Sequence, residues 1–323
     1  MGDGPLGEQR LYMAPMKGLT DHLFRTAFAE HFGGVDLAVA PFISSKRDHT
    51  FKQKYIQDVL PENNTALPVI PQILSNSAKD FVALANHLFD LGHSSVNWNL
   101  GCPSRTVTGK KRGAGMLPHT DLIHAFLEET VSGIKGILSV KLRLGWTSSD
   151  DIFRLLPILN QYPLEAIIIH PRTGIQEYDG EIDLDAFQQC LSILKHPVVY
   201  NGDIKTYDDF RRLSQRFEGL SQWMIGRGCL VDPFLPTIIK TGEAEIPDRV
   251  RSIMQFHDAL FESYSRVLHG PSHVLDRMKG LWRYLSFSLK VCEKTVKRIN
   301  KSMRLEQYSA LVDLLFEKEA QRR

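Results

Sequence analysis

Ala166-Ile167-Ile168-Ile169-His170-Pro171-Arg172-Thr173 is the stretch that decides the fold. Four apolar residues in a row, without polar alternation, describe a strand covered on both faces, as in a parallel sheet flanked by helices. The run then ends on histidine, proline and arginine, so polar groups gather where the strand leaves the core. The same pattern recurs along the chain. Strands are expected at Leu11–Pro15, Leu37–Ala40, Val69–Leu74, Ser95–Asn99, Leu138–Arg143, Ala166–His170, Val198–Asn201 and Trp223–Gly226. Amphipathic segments separate them. Asp80–Leu91 puts Phe81, Leu84, Ala85, Leu88 and Leu91 on one stripe, and Thr120–Ile134 is expected to do the same around Leu122, Phe126 and Val131. Ser149–Leu159 and Leu184–Leu194 continue the alternation. Eight strands with crossovers over roughly 230 residues predict an α/β fold, a (β/α)8 TIM barrel. A doubly wound open sheet is the alternative, but no G-x-G-x-x-G follows the first strand.

Around Thr241–Pro247 the alternation stops. No Gly or Pro occurs from Leu281 to Arg323, and the periodicity is helical. The expected division is a barrel over 1–243 followed by a C-terminal all-helical bundle over 244–323. A formal charge of +2 over 323 residues does not by itself call for nucleic acid. Its distribution is uneven: Pro247 to Arg323 holds 15 Lys and Arg against 9 Asp and Glu, while the rest holds 24 against 28. A basic tail on a faintly acidic body is a weak phosphate or RNA signal, with a solvated helical surface as the plain alternative.

The four cysteines (Cys102, Cys190, Cys229 and Cys292) have neither zinc-site nor redox-pair spacing. The opening Met1-Gly2-Asp3-Gly4-Pro5 lacks a secretory pattern, and no apolar run is long enough to cross a bilayer. A cytoplasmic, monomeric protein without membrane contact is expected.

In a barrel, function collects at the C-terminal strand ends. Those ends carry Pro15-Met16-Lys17-Gly18, Gln72, Asn99 before Cys102, Lys141 with Arg143, His170 with Arg172, Asn201-Gly202-Asp203 and Gly226-Arg227-Gly228. With neither a carboxylate nor a multi-histidine cluster, they make a poor metal cage. They suit a flat heteroaromatic ring with a phosphate tail: amides read the ring edge, a lysine stabilises negative charge, and glycine amides cradle phosphate. Cys102, held between Gly101 and Pro103, can face that ligand and supply a proton, although cysteine is more often a small buried apolar residue. Taken singly, Lys141 reads as a snorkelling or paired lysine, His170 as a core histidine and Asn201-Gly202-Asp203 as a turn. Their joint placement at strand ends favours a site.

Six motifs occur in order: Met13-Ala14-Pro15-Met16, Asn99-Leu100-Gly101-Cys102-Pro103-Ser104, Lys141-Leu142-Arg143-Leu144-Gly145-Trp146, His170-Pro171-Arg172-Thr173, Asn201-Gly202-Asp203-Ile204 and Met224-Ile225-Gly226-Arg227-Gly228. Together they resemble the flavin-dependent tRNA-dihydrouridine synthases, and Gly101–Val107 with Gly145-Trp146 leans toward the bacterial C-type branch. The resemblance implies FMN in the barrel mouth, with Pro15, Met16 and Lys17 along one side of the ring. Gln72 and Lys141 would sit at its polar edge, His170 nearby, and Asn201, Gly202, Asp203, Gly226 and Arg227 around the phosphate tail. It implies NADPH as reductant, hydride delivery to uracil C6, and Cys102 as the acid that protonates C5, with Asn99 and Arg143 as donors to the base. The branch points to D-loop position 16, and the partner implied is tRNA. Lys110 in the basic loop 108–115, Arg277 and Lys279 near the junction, and Lys294, Lys297 and Arg298 at helical spacing are the expected RNA contacts. Three departures stand out: Asn97 where the family usually has aspartate, Lys17 in place of an acidic residue, and that basic loop. The rival readings are a small-molecule pyrimidine flavoenzyme, of the dihydropyrimidine or dihydroorotate dehydrogenase kind, and a non-catalytic RNA-binding barrel.

Overall fold

Every strand pairing is parallel, and the ring closes. The computed structural model describes residues 8–320, so the Met1–Pro5 opening lies outside the described residues. The strands are β1 Arg10–Met13, β2 Leu37–Val39, β3 Ile43–Ser44, β4 Val69–Ile70, β5 Gln72–Leu74, β6 Ser95–Leu100, β7 Ile137–Gly145, β8 Leu164–Thr173, β9 Val198–Asn201 and β10 Gln222–Ile225. Ten segments make eight staves. Pro41 lies between β2 and β3 and Pro71 between β4 and β5, and a proline has no N–H for the ladder. Because β2 pairs with β4, β3 with β5 and β5 with β6, the staves form a closed barrel. The Pro71 carbonyl still accepts from Asn97 N at 2.8 Å, so pairing continues across the break.

The two-residue period of a strand sends alternate side chains into the barrel and out against the helices. Tyr12, Ala14, Leu37, Val39, Ala166, Ile168, Val199 and Met224 form a small separate cluster that fills the interior. Leu11, Met13, Ile167, Ile169 and Ile225 belong to the main core. Continuing the inward parity toward the strand ends gives His170 after Ile168, Asn201 after Val199 and Gly226 after Met224. On β6 and β7 the same parity selects Asn97, Asn99, Ser139, Lys141 and Arg143, while Val96, Trp98, Val140 and Leu142 pack outward. The chemistry-bearing residues therefore share one end of the barrel as a consequence of register.

The crossover helices fall at Ala78–Asp90, Thr120–Gly133, Asp151–Leu159 and Leu184–Ile193. In Thr120–Gly133 the buried stripe is Ile123, Phe126, Leu127 and Thr130. Leu122, expected inside, is 49 % exposed, because the stripe is rotated one residue toward Ile123. After Gly242, which ends the helix Leu235–Thr241 in a left-handed conformation, come helices Arg249–Val267, Pro271–Ser288, Glu293–Lys301 and Leu305–Ala320. Phe256 packs edge-on against Phe24 of the barrel helix His22–His31 and against Phe32, which caps it, and Tyr264 Oη donates to Asp21 Oδ1 at 3.0 Å. No helix among the described residues is long and apolar enough to cross a membrane.

Candidate active site

A cleft of about 480 Å³ opens at the C-terminal strand ends. Pro15, Met16, Gln72, Cys102, Lys141 and His170 are among the residues that line it, as are Asn201, Gly226 and Arg227. This is the size of a small-molecule site.

A chain of amides forms the floor on one side. Asn99 Nδ2 donates to Gln72 Oε1 at 2.6 Å, Gln72 Nε2 to Asn97 Oδ1 at 2.8 Å, and Asn97 Nδ2 to Ser139 Oγ at 2.9 Å. The chain ends where Ser139 Oγ donates to the Val96 carbonyl at 3.3 Å. Asn97 thus accepts from one neighbour and donates to the other, a task that an aspartate, an acceptor only, does half of. Loop anchoring falls to Asn99, whose Oδ1 accepts from Gly101 N at 3.1 Å and Cys102 N at 2.9 Å. Arg143 braces the same turn, donating through Nε to the Gly101 carbonyl at 2.9 Å and through Nη1 to Thr173 at 2.8 Å. Gly113 closes it from behind: its backbone has φ +56°, and a Cβ there would lie 2.7 Å from the Cys102 carbonyl oxygen. Cys102 is half-buried. Burial raises its thiol pKa above the ordinary 9.0, opposed by the Ser104 amide and the charges of Arg143, Lys17 and Lys141, so the sulfur keeps its proton at neutral pH.

The neighbouring wall, which begins on β7, is cationic. Burial, with the charge of Arg143, lowers Lys141 from 10.5 to about 7. Its ammonium has no hydrogen-bond or ion-pair partner among the described residues. Arg143 falls only to about 10, again chiefly through burial, and stays charged. His170 is driven well below 6.5 by burial and then by Arg143, Lys141, Arg172 and Arg227. The ring is therefore neutral. Arg172 Nη1 approaches its Nε2 at 3.2 Å, and since guanidinium only donates, the ring hydrogen sits on Nδ1. Asp203 is clamped by Arg172 Nη2 at 2.6 Å and Arg227 Nη2 at 2.8 Å. Burial opposes its charge, but the Arg172 hydrogen bond and the surrounding cations prevail and hold its pKa below the usual value. Asp203 is thus placed to aim the two guanidiniums. Asn201 Nδ2 is spent on the Met224 carbonyl at 2.9 Å.

The glycines at this wall differ. A Cβ on Gly228 would lie 2.1 Å from the Ile204 carbonyl, so packing itself forbids one. A Cβ on Gly226 would meet only Ala14 Cβ at 3.5 Å and Met16 Sδ at 3.9 Å, ordinary contacts. The protein has room for a side chain at Gly226, and its omission leaves space in the cleft. No group of three or more His, Cys, Asp or Glu able to hold a metal occurs among the described residues.

Lys17 is exposed at the rim with its ammonium 5.5 Å from the Phe42 ring centroid. Lys110 is exposed on its loop. Several expected RNA contacts already have partners. Arg277 Nη1 lies 3.7 Å from Asp21 Oδ2, Lys279 Nζ donates to the Ser302 carbonyl, and Lys297 pairs with Glu293 at 2.7 Å. Lys294 and Arg298 are exposed on the helix Glu293–Lys301. Sequence reasoning missed Tyr178, Phe42 and Tyr284, all of which line the cleft. Tyr178 comes from the loop after β8, its ring 5.4 Å from the Arg143 guanidinium and 5.9 Å from that of Arg227. An isolated tyrosine in a loop carries no periodic signal. Tyr284 comes from the helical tail, and only the packing of tail on barrel brings it to the mouth.

The profile described as Dihydrouridine synthase (Dus) matches residues 12–317. The chain belongs to the dihydrouridine synthase family. It is 29 % identical to a tRNA-dihydrouridine(16) synthase of Haemophilus influenzae, covering 86 % of this chain and 90 % of that one. It is 31 % identical to the protein of the same description in Escherichia coli K12, covering 74 % and 78 %. A dihydrouridine synthase is an oxidoreductase, and its barrel is shared more widely. The old yellow enzyme homologue of Zymomonas mobilis superposes with a TM-score of 0.53 at 11 % identity, covering 75 % of this chain and 91 % of that one. At that identity the likeness concerns the fold.

Proposed function

We propose that this dihydrouridine synthase reduces a D-loop uridine of tRNA to 5,6-dihydrouridine, with FMN in the barrel mouth and NADPH as reductant. The observation that carries the reading is a protonated thiol and an unpaired, partly buried lysine lining one cleft, Cys102 on the turn after β6 and Lys141 on the neighbouring β7. Uracil reduction asks for a proton at C5 and for stabilisation of negative charge. FMN fits the residues present. Lys141 lacks a counter-charge, Gly226 leaves a space that a side chain would fill, and Arg227, held by Asp203, would hold the phosphate together with the first amides of the helix Arg227–Val231. Pro15, Met16 and Lys17 would flank the ring, with Gln72, Lys141 and neutral His170 near its polar atoms and Asn201 and Gly202 along the tail. When bound, FMN supplies the hydride for uracil C6.

The chain's own residues do the rest. Cys102 holds its proton until C5 becomes basic, and Asn99 fixes the turn from which the thiol acts. Arg143 spends Nε and Nη1 on the protein, and Nη2, without a partner among the described residues, is left for a uracil carbonyl. Asn99 Nδ2 has a second hydrogen for the base edge. A base in folded RNA must be turned out to reach this depth. The division into a catalytic barrel over 1–243 and a tRNA-binding tail over 244–323 follows, with Lys110, Arg277, Lys279, Lys294, Lys297 and Arg298 as the cations offered to RNA. Position 16 is the uridine proposed, on the description of the relatives.

The test is turnover of an unmodified tRNA transcript by purified protein with FMN and NADPH, read by mass spectrometry of the RNA. Dihydrouridine at one D-loop position is expected, and Cys102→Ala should slow its formation at least 100-fold, on the order of what a positioned proton donor contributes, while still binding FMN. Reduction of free uracil or orotate without reduction of tRNA would establish the small-molecule rival instead.

A further inference from the structure

We propose that the loops following β3 and β6 form one preassembled cradle for the RNA backbone, on the barrel side of the mouth. The proposal rests on tRNA being the substrate and extends the footprint beyond the tail. Lys46, Arg47 and Lys52 lie in the first loop and Lys54 in the short helix Gln53–Ile56 that ends it; Arg105 opens the short helix Arg105–Thr108 of the second, and Lys110, Lys111 and Arg112 follow it. None of them pairs with a carboxylate among the described residues. Asp48 is the one acid within 45–55, and it caps its own turn by accepting from Thr50 N at 3.2 Å; 104–115 has none. The tail offers a contrast, because Arg277, Lys279 and Lys297 already have protein partners.

What distinguishes these loops from a solvated lysine face is how they are held. A single segment, Ser75–Asp80, fastens both. Ser45 Oγ donates to Ser75 Oγ at 2.7 Å, and His49 contacts the Asp80 carboxylate at 3.1 Å. Phe51 stacks on His87 with centroids 4.6 Å apart. On the other loop, Asn76 Nδ2 donates to the Lys110 carbonyl at 3.0 Å, and Asn76 Oδ1 accepts from Arg112 Nε at 3.1 Å. Backbones held in this way keep the cations they carry near one another, so less loop freedom is lost on binding. The second loop lines the cleft through Thr106 and Val107, and Phe42, just before β3, lines it near the root of the first. The tail reaches the same cleft through Tyr284, and a Cβ on rim residue Gly18 would lie 3.6 Å from Arg277 Nη1. A base entering the cleft therefore has positive charge on both flanks. Tyr55, 43 % exposed, carries Lys46 Nζ 3.4 Å and Lys54 Nζ 5.1 Å from its ring centroid. An aromatic face among cations suits an unpaired base beside phosphates, which favours RNA over an acidic protein.

The experiment measures binding of an unmodified tRNA transcript to the FMN-loaded enzyme over a series of KCl concentrations, for wild type and for Arg47→Gln/Lys54→Gln. Each phosphate contact contributes about 0.7 to 0.9 to the slope of log affinity against log salt. Loss of both should make the slope shallower by about 1.4 to 1.8. Flavin absorbance and the thermal midpoint report whether the variant is folded. Should the pair not fold, Arg47→Gln alone is expected to remove about half as much. An unchanged slope in a folded variant overturns the cradle while leaving the substrate reading intact. A wild-type enzyme that does not bind the transcript overturns both.

Discussion

Replacing Lys141 with methionine should stabilise the FMN-free protein, and the gain should disappear as the pH rises. Lys141 is an ammonium pushed from 10.5 to about 7 by burial and by Arg143, with no carboxylate to offset the cost. At about 1.4 kcal/mol per pH unit, a fall of that size corresponds to about 5 kcal/mol, an upper figure because water reaching the open mouth reduces it. The sign follows from proton counting. Below pH 7 the lysine is protonated both folded and unfolded, and the native state bears the full penalty. Between about 7 and 10.5 the unfolded chain keeps a proton that the folded protein has released, so wild-type stability climbs with pH across this window. Methionine does not titrate. Subtracting wild-type from Lys141→Met stability, measured by urea unfolding at each pH, isolates this one group. The difference should be several kcal/mol in favour of the variant at pH 6, decline through pH 7 to 10, and approach the packing difference alone beyond that. Adding FMN should reverse the ranking, since the anionic ligand supplies the missing counter-charge and stabilises in proportion to its affinity. A pH-independent difference, or a variant less stable at pH 6 without FMN, would show that the lysine is not an uncompensated buried charge.

Asn99→Ala should cost about 2 to 4 kcal/mol, because it strands the Gly101 and Cys102 amides and the Gln72 carbonyl together. It should also speed alkylation of Cys102 by iodoacetamide as the turn loosens, and unchanged stability together with unchanged thiol reactivity would remove Asn99 as the anchor. Gly226→Ala and Gly228→Ala separate ligand space from packing. The first, meeting nothing closer than 3.5 Å, should unfold within about 1 kcal/mol of wild type yet bind FMN at least tenfold more weakly by fluorescence titration. The second, driven to 2.1 Å from a carbonyl, should lose about 1 to 3 kcal/mol of folding stability itself. Equal FMN affinity in Gly226→Ala would mean that its open space is not the ligand's.

The eight staves were legible because parallel strands covered on both faces leave unbroken apolar runs, and Ala166–Ile169 or Val198–Tyr200 permit no other sheet environment. The proline breaks that split two staves were not read, since the ladder bridges a single missing donor and the apolar pattern runs on through it. Residue types at the strand ends also showed through, because register alone carries them to one mouth. Their partners did not. Asn97 stood out only as a missing aspartate, but it joins Gln72 to Ser139 across three strands, and the loop anchor is Asn99, two residues on. Asp203 looked like part of a phosphate turn, yet its carboxylate is bound by Arg172 and Arg227. Tail cations at helical spacing are equally ambiguous until the fold shows that Lys297 reaches Glu293 and that Lys279 holds the end of another helix. In each case spacing along the chain sets direction, and only the fold supplies the neighbour.

The charge of the cleft bears on whether this barrel is an enzyme or a scaffold. Lys17, Lys141, Arg143, Lys205 and Arg227 line it, against one carboxylate, Asp203, which two arginines already share. Burying like charges together is destabilising, and the depressed Lys141 and neutral His170 are its direct consequence. Nothing in the folding of a (β/α)8 barrel requires that cost, for apolar residues at the same inward positions would fill the mouth as Ile168 and Val199 fill the interior. A cationic wall beside a protonated thiol becomes intelligible once an anion occupies the cleft and a base that needs a proton lies against it. A scaffold that only gripped RNA would need its cations on the rim, where Lys110 and Arg47 are. Lys141 lies too deep for a phosphate of the backbone, and what it can reach is a ligand that has entered the barrel.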